Sequence, residues 1–371
     1  MRQALAERLL AKVMCWAPED VARELPVLQA LADHKYDEYQ QFFPGIRFIE
    51  SLALWLSQFG AADERRIAYD FIKKKLVFCS SAEMNHLVSI AYPDHVRPLL
   101  LRRAARDAGI DERLVSKIAA HAAFKIRQRQ CLFLGLSDGA RIDIFRRSNS
   151  PDLTHEQILP TYEVSPPRVN ELLNELSTSV STLLDSEAPE EMRKFRTIVL
   201  LDDFSGSGLS YLRASDGHSF KGKIGKFHRS LTAGDGAAAL LVDIKQLEII
   251  VVLYMATDKA RSHLETLSKK VWEPLGVKNS IMVIHQLSDS ICLHPDDGSA
   301  MGALIETYYD RDIEDQHTEI GGTDVKYGFA GCGLPLVLSH NTPNDSLPLL
   351  WADSKKMRAL FPRVSRHRKE T

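Results

Sequence analysis

The chain has 371 residues, 44% hydrophobic and 26% charged, which is the composition of ordinary soluble globular chains and excludes wholesale disorder, a fibrous repeat and a multi-pass membrane protein. At about 100–200 residues per domain the length allows two or three domains. Lys and Arg total 47 against 49 Asp and Glu, a formal net charge of -2, so the chain lacks the global positive footprint of a dedicated nucleic-acid coat, although local patches remain open to such a role.

The chain opens with Met1-Arg2-Gln3-Ala4-Leu5-Ala6-Glu7-Arg8. Glu7, Arg8 and Lys12 interrupt the apolar core that an export signal needs, so none is predicted. Apolar residues then recur at three- and four-residue spacing, first Leu5, Leu9 and Val13, later Phe48, Leu52, Trp55 and Phe59. That period predicts an all-helical N-terminal domain over residues 1–128. The five cysteines, Cys15, Cys79, Cys131, Cys292 and Cys332, are single, with no metal-ligand spacing. A reducing, cytoplasmic location is expected, with Cys131 and Cys332 acting as small core hydrophobes.

The pattern changes at Cys131-Leu132-Phe133-Leu134-Gly135, a short apolar run ending in glycine, and Arg141 to Arg146 alternates with period two. An α/β domain is therefore expected over 129–363, followed by a basic tail over 364–371 that carries Arg366, Arg368 and Lys369 after Arg363. Val169, Leu172, Leu173, Leu176, Val180 and Leu183 share one helical face, and Thr197 to Leu201 is a continuous apolar strand. A helix is predicted through Tyr211 and Leu212. Ile249 to Leu253 is the next strand, and its apolar run to Ala256 is far short of the roughly 20 residues that span a bilayer, so no membrane partner is expected. A helix follows with Ala260, Leu264, Leu267 and Val271 inward and Thr257 or Asp258 as its cap; Asn279 to Ile284 gives a further strand. Continuous apolar strands separated by helices imply a parallel sheet covered on both faces, with ligands at the carboxyl ends of its strands.

One such end carries distinctive chemistry: Thr197-Ile198-Val199-Leu200-Leu201 runs into Asp202-Asp203-Phe204-Ser205-Gly206-Ser207-Gly208-Leu209-Ser210. Small residues in a turn after a strand let backbone N–H groups surround a phosphate, and Ser205, Ser207 and Ser210 add hydroxyls. Two adjacent carboxylates cannot bind phosphate themselves; they suit the sugar hydroxyls of the same ligand, or its Mg²⁺. The implied ligand is a sugar phosphate or a nucleotide. Gly208 is followed by Leu209 where a Walker A loop has lysine, and Tyr211 stands where the dinucleotide fingerprint has its third glycine. An ordinary strand end, with the acids capping a helix and the glycines relieving the turn, is the alternative.

The segment resembles the phosphoribosyl-pyrophosphate (PRPP) motif of type I phosphoribosyltransferases, in which four hydrophobic residues precede two acids and a loop ending Thr/Ser-Gly-x-Thr/Ser. Asp202 and Asp203 match the acidic pair, Ser207 and Gly208 the hydroxyl-glycine step, and Ser210 the closing hydroxyl; Leu209 departs from the glycine often found there. The resemblance implies that Asp202 and Asp203 hold the ribose 2′- and 3′-hydroxyls and Ser205 to Ser210, with Gly206 and Gly208, the 5′-phosphate. It further implies a diphosphate loop after the first core strand. Leu136-Ser137-Asp138-Gly139-Ala140-Arg141 stands there, with Gly139 allowing close approach, Arg141 a cation, and Asp138 needing Mg²⁺ beside an anion; a plain hairpin is the alternative.

Together with Ser339-His340-Asn341-Thr342-Pro343-Asn344-Asp345-Ser346-Leu347-Pro348-Leu349-Leu350-Trp351, the motif is similar to a phosphoribosyltransferase-like family of bacterial conflict and antiphage systems, some retron-associated, over about residues 130–363. That implies an effector role with a partner protein or nucleic acid. His340 to Asn344 either lines the cleft or forms an Asx-type turn. Lys221, Lys223, Lys226 and Arg229, interleaved with Phe220, Gly222, Gly225 and Phe227, form either a solvated loop or a hood over a diphosphate or nucleic acid. His294-Pro295-Asp296-Asp297-Gly298 reads as a turn. Two functions stand side by side: a transferase moving phosphoribosyl from PRPP to a nitrogenous acceptor, and a catalytically inactive nucleotide-sensing or nucleic-acid-associated module.

Overall fold

A computed structural model describes residues 3–150, 152–215, 219–233 and 236–364; the expected basic tail residues Arg366, Arg368 and Lys369 lie outside them. Among the described residues the strands are β1 (Val77–Cys79), β2 (Cys131–Gly135), β3 (Ile158–Leu159), β4 (Thr197–Ser205), β5 (Arg213–Ser215), β6 (Ser219–Lys221), β7 (Glu248–Thr257), β8 (Lys278–Leu287) and β9 (Leu336–Leu338).

The chain divides into two compact units, residues 84–287 and residues 1–83 with 288–371. The division does not fall at residue 128. Helices between residues 84 and 129 pack on the sheet that follows them: the Tyr92 ring meets Phe133 at 5.8 Å, Arg103 pairs with Glu248 at 2.7 Å, and Ile126 joins the same apolar cluster as Leu132 and Leu134. In the other unit, helices early in the sequence share one core with residues 293–361, and β1 pairs in parallel with β9. The N-terminal region is thus helical apart from this one short strand, whose partner lies far along the chain and is invisible to local periodicity.

In the unit of residues 84–287 five strands form an all-parallel sheet in the order β3-β2-β4-β7-β8. Numbered along the chain this is 2-1-3-4-5, a doubly wound order whose direction of winding reverses between β2 and β4. Both faces are covered, as continuous apolar strands require. Leu132, Leu134, Ile198, Leu200, Ile249 and Val251 point into the cluster built with the helices Pro166–Leu184, Lys223–Thr232 and Asp258–Trp272. Phe133 faces the other way, against Tyr92 and Phe145. The predicted helix faces hold, with Thr257 as the cap whose hydroxyl accepts from Ala260 N–H at 2.9 Å. Cys131 and Cys332 are buried.

Three local expectations are corrected. Ile142–Asn149 is a helix, not a strand: its buried positions, Ile142, Phe145 and Asn149, follow a helical spacing that six alternating residues had masked. Tyr211 and Leu212 lie in a tight turn, both N–H groups donating to Gly208 O, and lead into the β5–β6 hairpin. The basic stretch is not a loop: Lys221 ends β6, and Lys223, Lys226 and Arg229 lie on the helix Lys223–Thr232, with Ile224, Phe227 and Leu231 buried. Gly225 is required there because a Cβ would stand 2.6 Å from Phe220 O.

The unit of residues 1–83 and 288–371 has a buried polar centre. Burial opposes ionisation of Glu24, but hydrogen bonds from Lys73 (2.6 Å), Tyr69 (2.7 Å) and Arg23 (3.0 Å) outweigh it and hold the carboxyl at about 2. A folded-state value below the unfolded one gives stability that is present above about pH 4.5 and lost as pH falls toward 2. Glu24→Gln is expected to cost about 2 kcal/mol at pH 7, and the difference from the wild type should shrink in urea denaturation at pH 3. A difference independent of pH would overturn this account.

Candidate functional site

β2 and β4 run in register to Gly135 opposite Leu201, and Leu136 N–H donates to Leu201 O at 2.9 Å. Beyond that point side chains join the two strand ends. Ser137 Oγ donates to Asp202 Oδ1 at 2.5 Å, as does Asp203 N–H at 3.1 Å. Successive residues on a strand point to opposite faces, so the adjacent acids part company. Asp202 follows Ile198 and Leu200 onto the face covered by the helix Lys223–Thr232, and Lys223 Nζ donates to its Oδ2. Asp203 lies on the other face, so close to Gly139 that a Cβ there would come within 2.4 Å of its carboxylate.

The two carboxylates therefore sit in different surroundings. Asp202 has no exposed surface, whereas Lys223 retains 25% of its side-chain exposure. Burial first, and then the charge of Asp203, push the Asp202 carboxyl above its ordinary range; Lys223 and Ser137 act against that. Asp203 is half-buried, and its Oδ1 accepts from Phe204 N–H at 2.8 Å. Beneath the pair lies Tyr254 of β7, fully buried, its hydroxyl donating to Ala140 O at 2.7 Å. Burial and then the charges of Asp202 and Asp203 raise the Tyr254 phenol well above its usual value, with Arg141 opposing. The loop after β2 and the acids of β4 are thus one electrostatic neighbourhood.

Arg141 and Asp138 belong to the same loop. Asp138 is exposed. Arg141 has φ +47°, a left-handed backbone uncommon outside glycine, and its guanidinium donates to Asn85 Oδ1 at 2.8 Å. Backbone strain of this kind persists where surrounding structure holds it and concentrates at ligand sites. Asn85 had no signal in the sequence, since it is one polar residue on a short helix.

The Ser-Gly loop closes on itself. Ser205 Oγ accepts from Gly208 N–H at 3.1 Å and Ser207 Oγ from Leu209 N–H at 3.4 Å; both serines are buried, while Ser210 is exposed. Gly206 O accepts from Thr257 Oγ1 at 2.5 Å. Gly208 has φ +80°, and a Cβ on it would stand 2.7 Å from His263 and 3.2 Å from Ala260 O. The loop therefore rests on the first turns of Asp258–Trp272, and the positive end of a helix dipole near it comes from that helix, not from one following the loop in sequence.

The residues expected at Ser137, Asp138, Gly139 and Arg141 and at Asp202 to Ser210 thus lie at the carboxyl ends of the neighbouring strands β2 and β4, where the winding reverses, and Ser137 and Gly139 meet Asp202 and Asp203 there. The segment Ser339 to Trp351 belongs to the other compact unit, in which Thr342 N–H donates to Tyr39 Oη at 3.1 Å and Ser346 Oγ to Leu336 O at 2.6 Å. His294 to Gly298 forms the expected turn, a single 3₁₀ segment over Pro295–Asp297. Sequence reasoning missed Lys223 as a partner of Asp202. The spacing of Ile224, Phe227 and Leu231 was the available signal.

A doubly wound parallel sheet with an acidic strand end and a Ser-Gly loop defines a phosphoribosyltransferase-like α/β protein. The chain belongs to the PRTase-CE family, whose model matches residues 52–363. The match begins far upstream of residue 129, within the helix Phe48–Leu56, so the family's extent includes much of the region expected to be a separate helical domain. No curated protein and no solved structure matches the chain. Among the described residues no helix is long and apolar enough to cross a membrane.

Proposed function

We propose that the carboxyl ends of β2 and β4, with the loops that follow them, bind PRPP or a closely related ribose phosphate or nucleotide. The observation that carries this is the meeting of the loop after β2 with the acidic end of β4: Ser137 bonded to Asp202, and Gly139 pressed against Asp203. Asp202 and Asp203 would accept from the ribose hydroxyls, the loop of Ser205, Gly206, Ser207, Gly208, Leu209 and Ser210 would take the 5′-phosphate, and Ser137 to Arg141 the diphosphate. Arg141, set by Asn85, offers the guanidinium that diphosphate oxygens favour.

Mg²⁺ fits the donor chemistry in kind. Among the described residues no three His, Cys, Asp or Glu side chains converge, so the protein would supply Asp202 and Asp203 at most and the ligand's phosphates the rest, the usual arrangement for this ion. Bound there, Mg²⁺ would neutralise phosphate charge. The chain's own contribution is positioning and charge stabilisation: in transfer, the C1–oxygen bond to pyrophosphate breaks as a bond from C1 to an acceptor nitrogen forms, through an oxocarbenium-like transition state. An effector role in antiphage defence, with a partner protein or nucleic acid, is proposed on the resemblance of the acidic motif and the Ser339 to Trp351 segment alone.

A second reading is a module that binds the ligand without turnover. The full burial of Asp202 and its pairing with Lys223 favour it. Isothermal titration with PRPP, with and without Mg²⁺, and a pyrophosphate-release assay over a broad set of acceptors separate the two. Saturable binding with release supports transfer, and binding without release supports the module. No binding of PRPP, ribose 5-phosphate or nucleotides would overturn the site.

A further inference from the structure

The Asp202 carboxylate is a buried anion with a cation already on it. Its Oδ1 is filled by Ser137 and Asp203 N–H, and Oδ2 by the Lys223 ammonium. A carboxylate taken out of water is tolerated only when paired and hydrogen-bonded, and here the chain's own groups supply the pairing. In the same position the ammonium lies 4.6 Å from the centre of the Tyr211 ring, which attracts cations through its face. That ring is fixed: Tyr211 is buried and its hydroxyl donates to Phe204 O at 2.8 Å. Lys223 is the first residue of its helix, its side chain is partly open to solvent, and a flexible four-carbon stem carries the charge. Such a group can leave a carboxylate without the backbone moving.

We propose that Lys223 is the resident cation of the acidic strand end: it neutralises Asp202 in the ligand-free protein and is exchanged for the divalent cation that arrives with the ligand. The inference rests on the proposed ribose-phosphate site and assigns its regulation. Lys223 and the divalent cation exclude each other at Asp202 Oδ2, so the metal alone binds weakly. A ligand that brings both metal and phosphate overcomes the exclusion, because it offers the displaced ammonium new anionic partners. The site is thereby selective for the metal–ligand complex over either component.

The test is titration of Mn²⁺ alone, followed by electron paramagnetic resonance of the free ion, into the wild type, Lys223→Met, Lys223→Arg and the double variant Lys223→Met with Asp202→Asn. Removing a contacting positive charge is expected to tighten Mn²⁺ binding about tenfold or more in Lys223→Met. Lys223→Arg should stay near the wild type, and the double variant should lose the gain. Equal Mn²⁺ affinity in wild type and Lys223→Met, or a gain that survives Asp202→Asn, would overturn the proposal. A measurement on the wild type avoids any folding defect: acetylation of Lys223, read by mass spectrometry, should accelerate as Mn²⁺ is raised to the concentration that saturates the wild type, and an unchanged rate at saturation counts against exchange. Titration of the wild type with PRPP keeps the two ideas apart. Absence of PRPP binding beside a gain of Mn²⁺ in Lys223→Met would remove the ligand reading and leave the resident cation standing.

Discussion

Asp202→Asn combined with Asp203→Asn is expected to abolish PRPP binding while the sheet stays folded. Asparagine keeps the size of the carboxylate and one acceptor oxygen, so the bonds from Ser137 Oγ, Asp203 N–H and Phe204 N–H have acceptors to use. What is lost is charge. Hydrogen bonds to a charged acceptor contribute about 1.5–3 kcal/mol each, so losing both carboxylates as partners of the ribose hydroxyls should weaken binding about a hundredfold or more. The effect on stability has two opposed parts. A buried negative charge disappears, which removes a desolvation cost, and the Lys223 ammonium loses its partner. Because Lys223 is a quarter exposed it can turn to water, so the folded state should survive. Titration calorimetry and thermal unfolding of the same preparation read both quantities. Unchanged PRPP affinity in a folded double variant would sink the assignment of these acids.

The acids and the parallel sheet were legible because each is written in consecutive residues. Ile198 to Leu201 and Ile249 to Leu253 are apolar without interruption, which only a strand covered on both faces requires, and the loop they imply follows directly in the chain. What stayed hidden depends on pairs far apart or on conflict between local signals. Lys223 meets Asp202 across 21 positions, and Gly222 and Gly225 made a helix look like a loop. Gly222 has φ +93° and packs on Tyr211 O, while Gly225 admits the Phe220 carbonyl; both glycines serve tertiary packing and say nothing about helix propensity. Asn85 reaches Arg141 from a helix that was placed in a separate domain. The same cause moved the boundary: Ile126 and Tyr92 lie on amphipathic helices whose buried faces the sequence displays, but nothing local says that those faces are buried by the sheet.

Two glycines at the site separate chemistry from stability. Gly208 combines a left-handed backbone with contacts to His263 and the Ala260 carbonyl, so any side chain there is strained whatever the ligand does. Gly139 is different. The atoms its Cβ would meet are the Asp203 carboxyl carbon and oxygens, at 2.4 to 2.7 Å, the end of a short side chain that would have to turn, at the expense of the bond its Oδ1 accepts from Phe204 N–H. The loop itself is held independently, by Ala140 N–H to Ser137 O at 3.0 Å and by Tyr254 to Ala140 O. Gly139→Ala should therefore lower the unfolding free energy by about 1 kcal/mol, the size of one hydrogen bond. It should also turn Asp203 away from the proposed ribose position and weaken PRPP binding about tenfold or more, since one charged acceptor no longer meets the ribose. Addition of Asp203→Asn to Gly139→Ala should then cost little further affinity, because both changes act on the same carboxylate and cannot add. Wild-type affinity in Gly139→Ala would mean that Asp203 does not touch the ligand. Full additivity in the double variant would mean that Gly139 acts on the ligand directly, as the backbone of a diphosphate loop would.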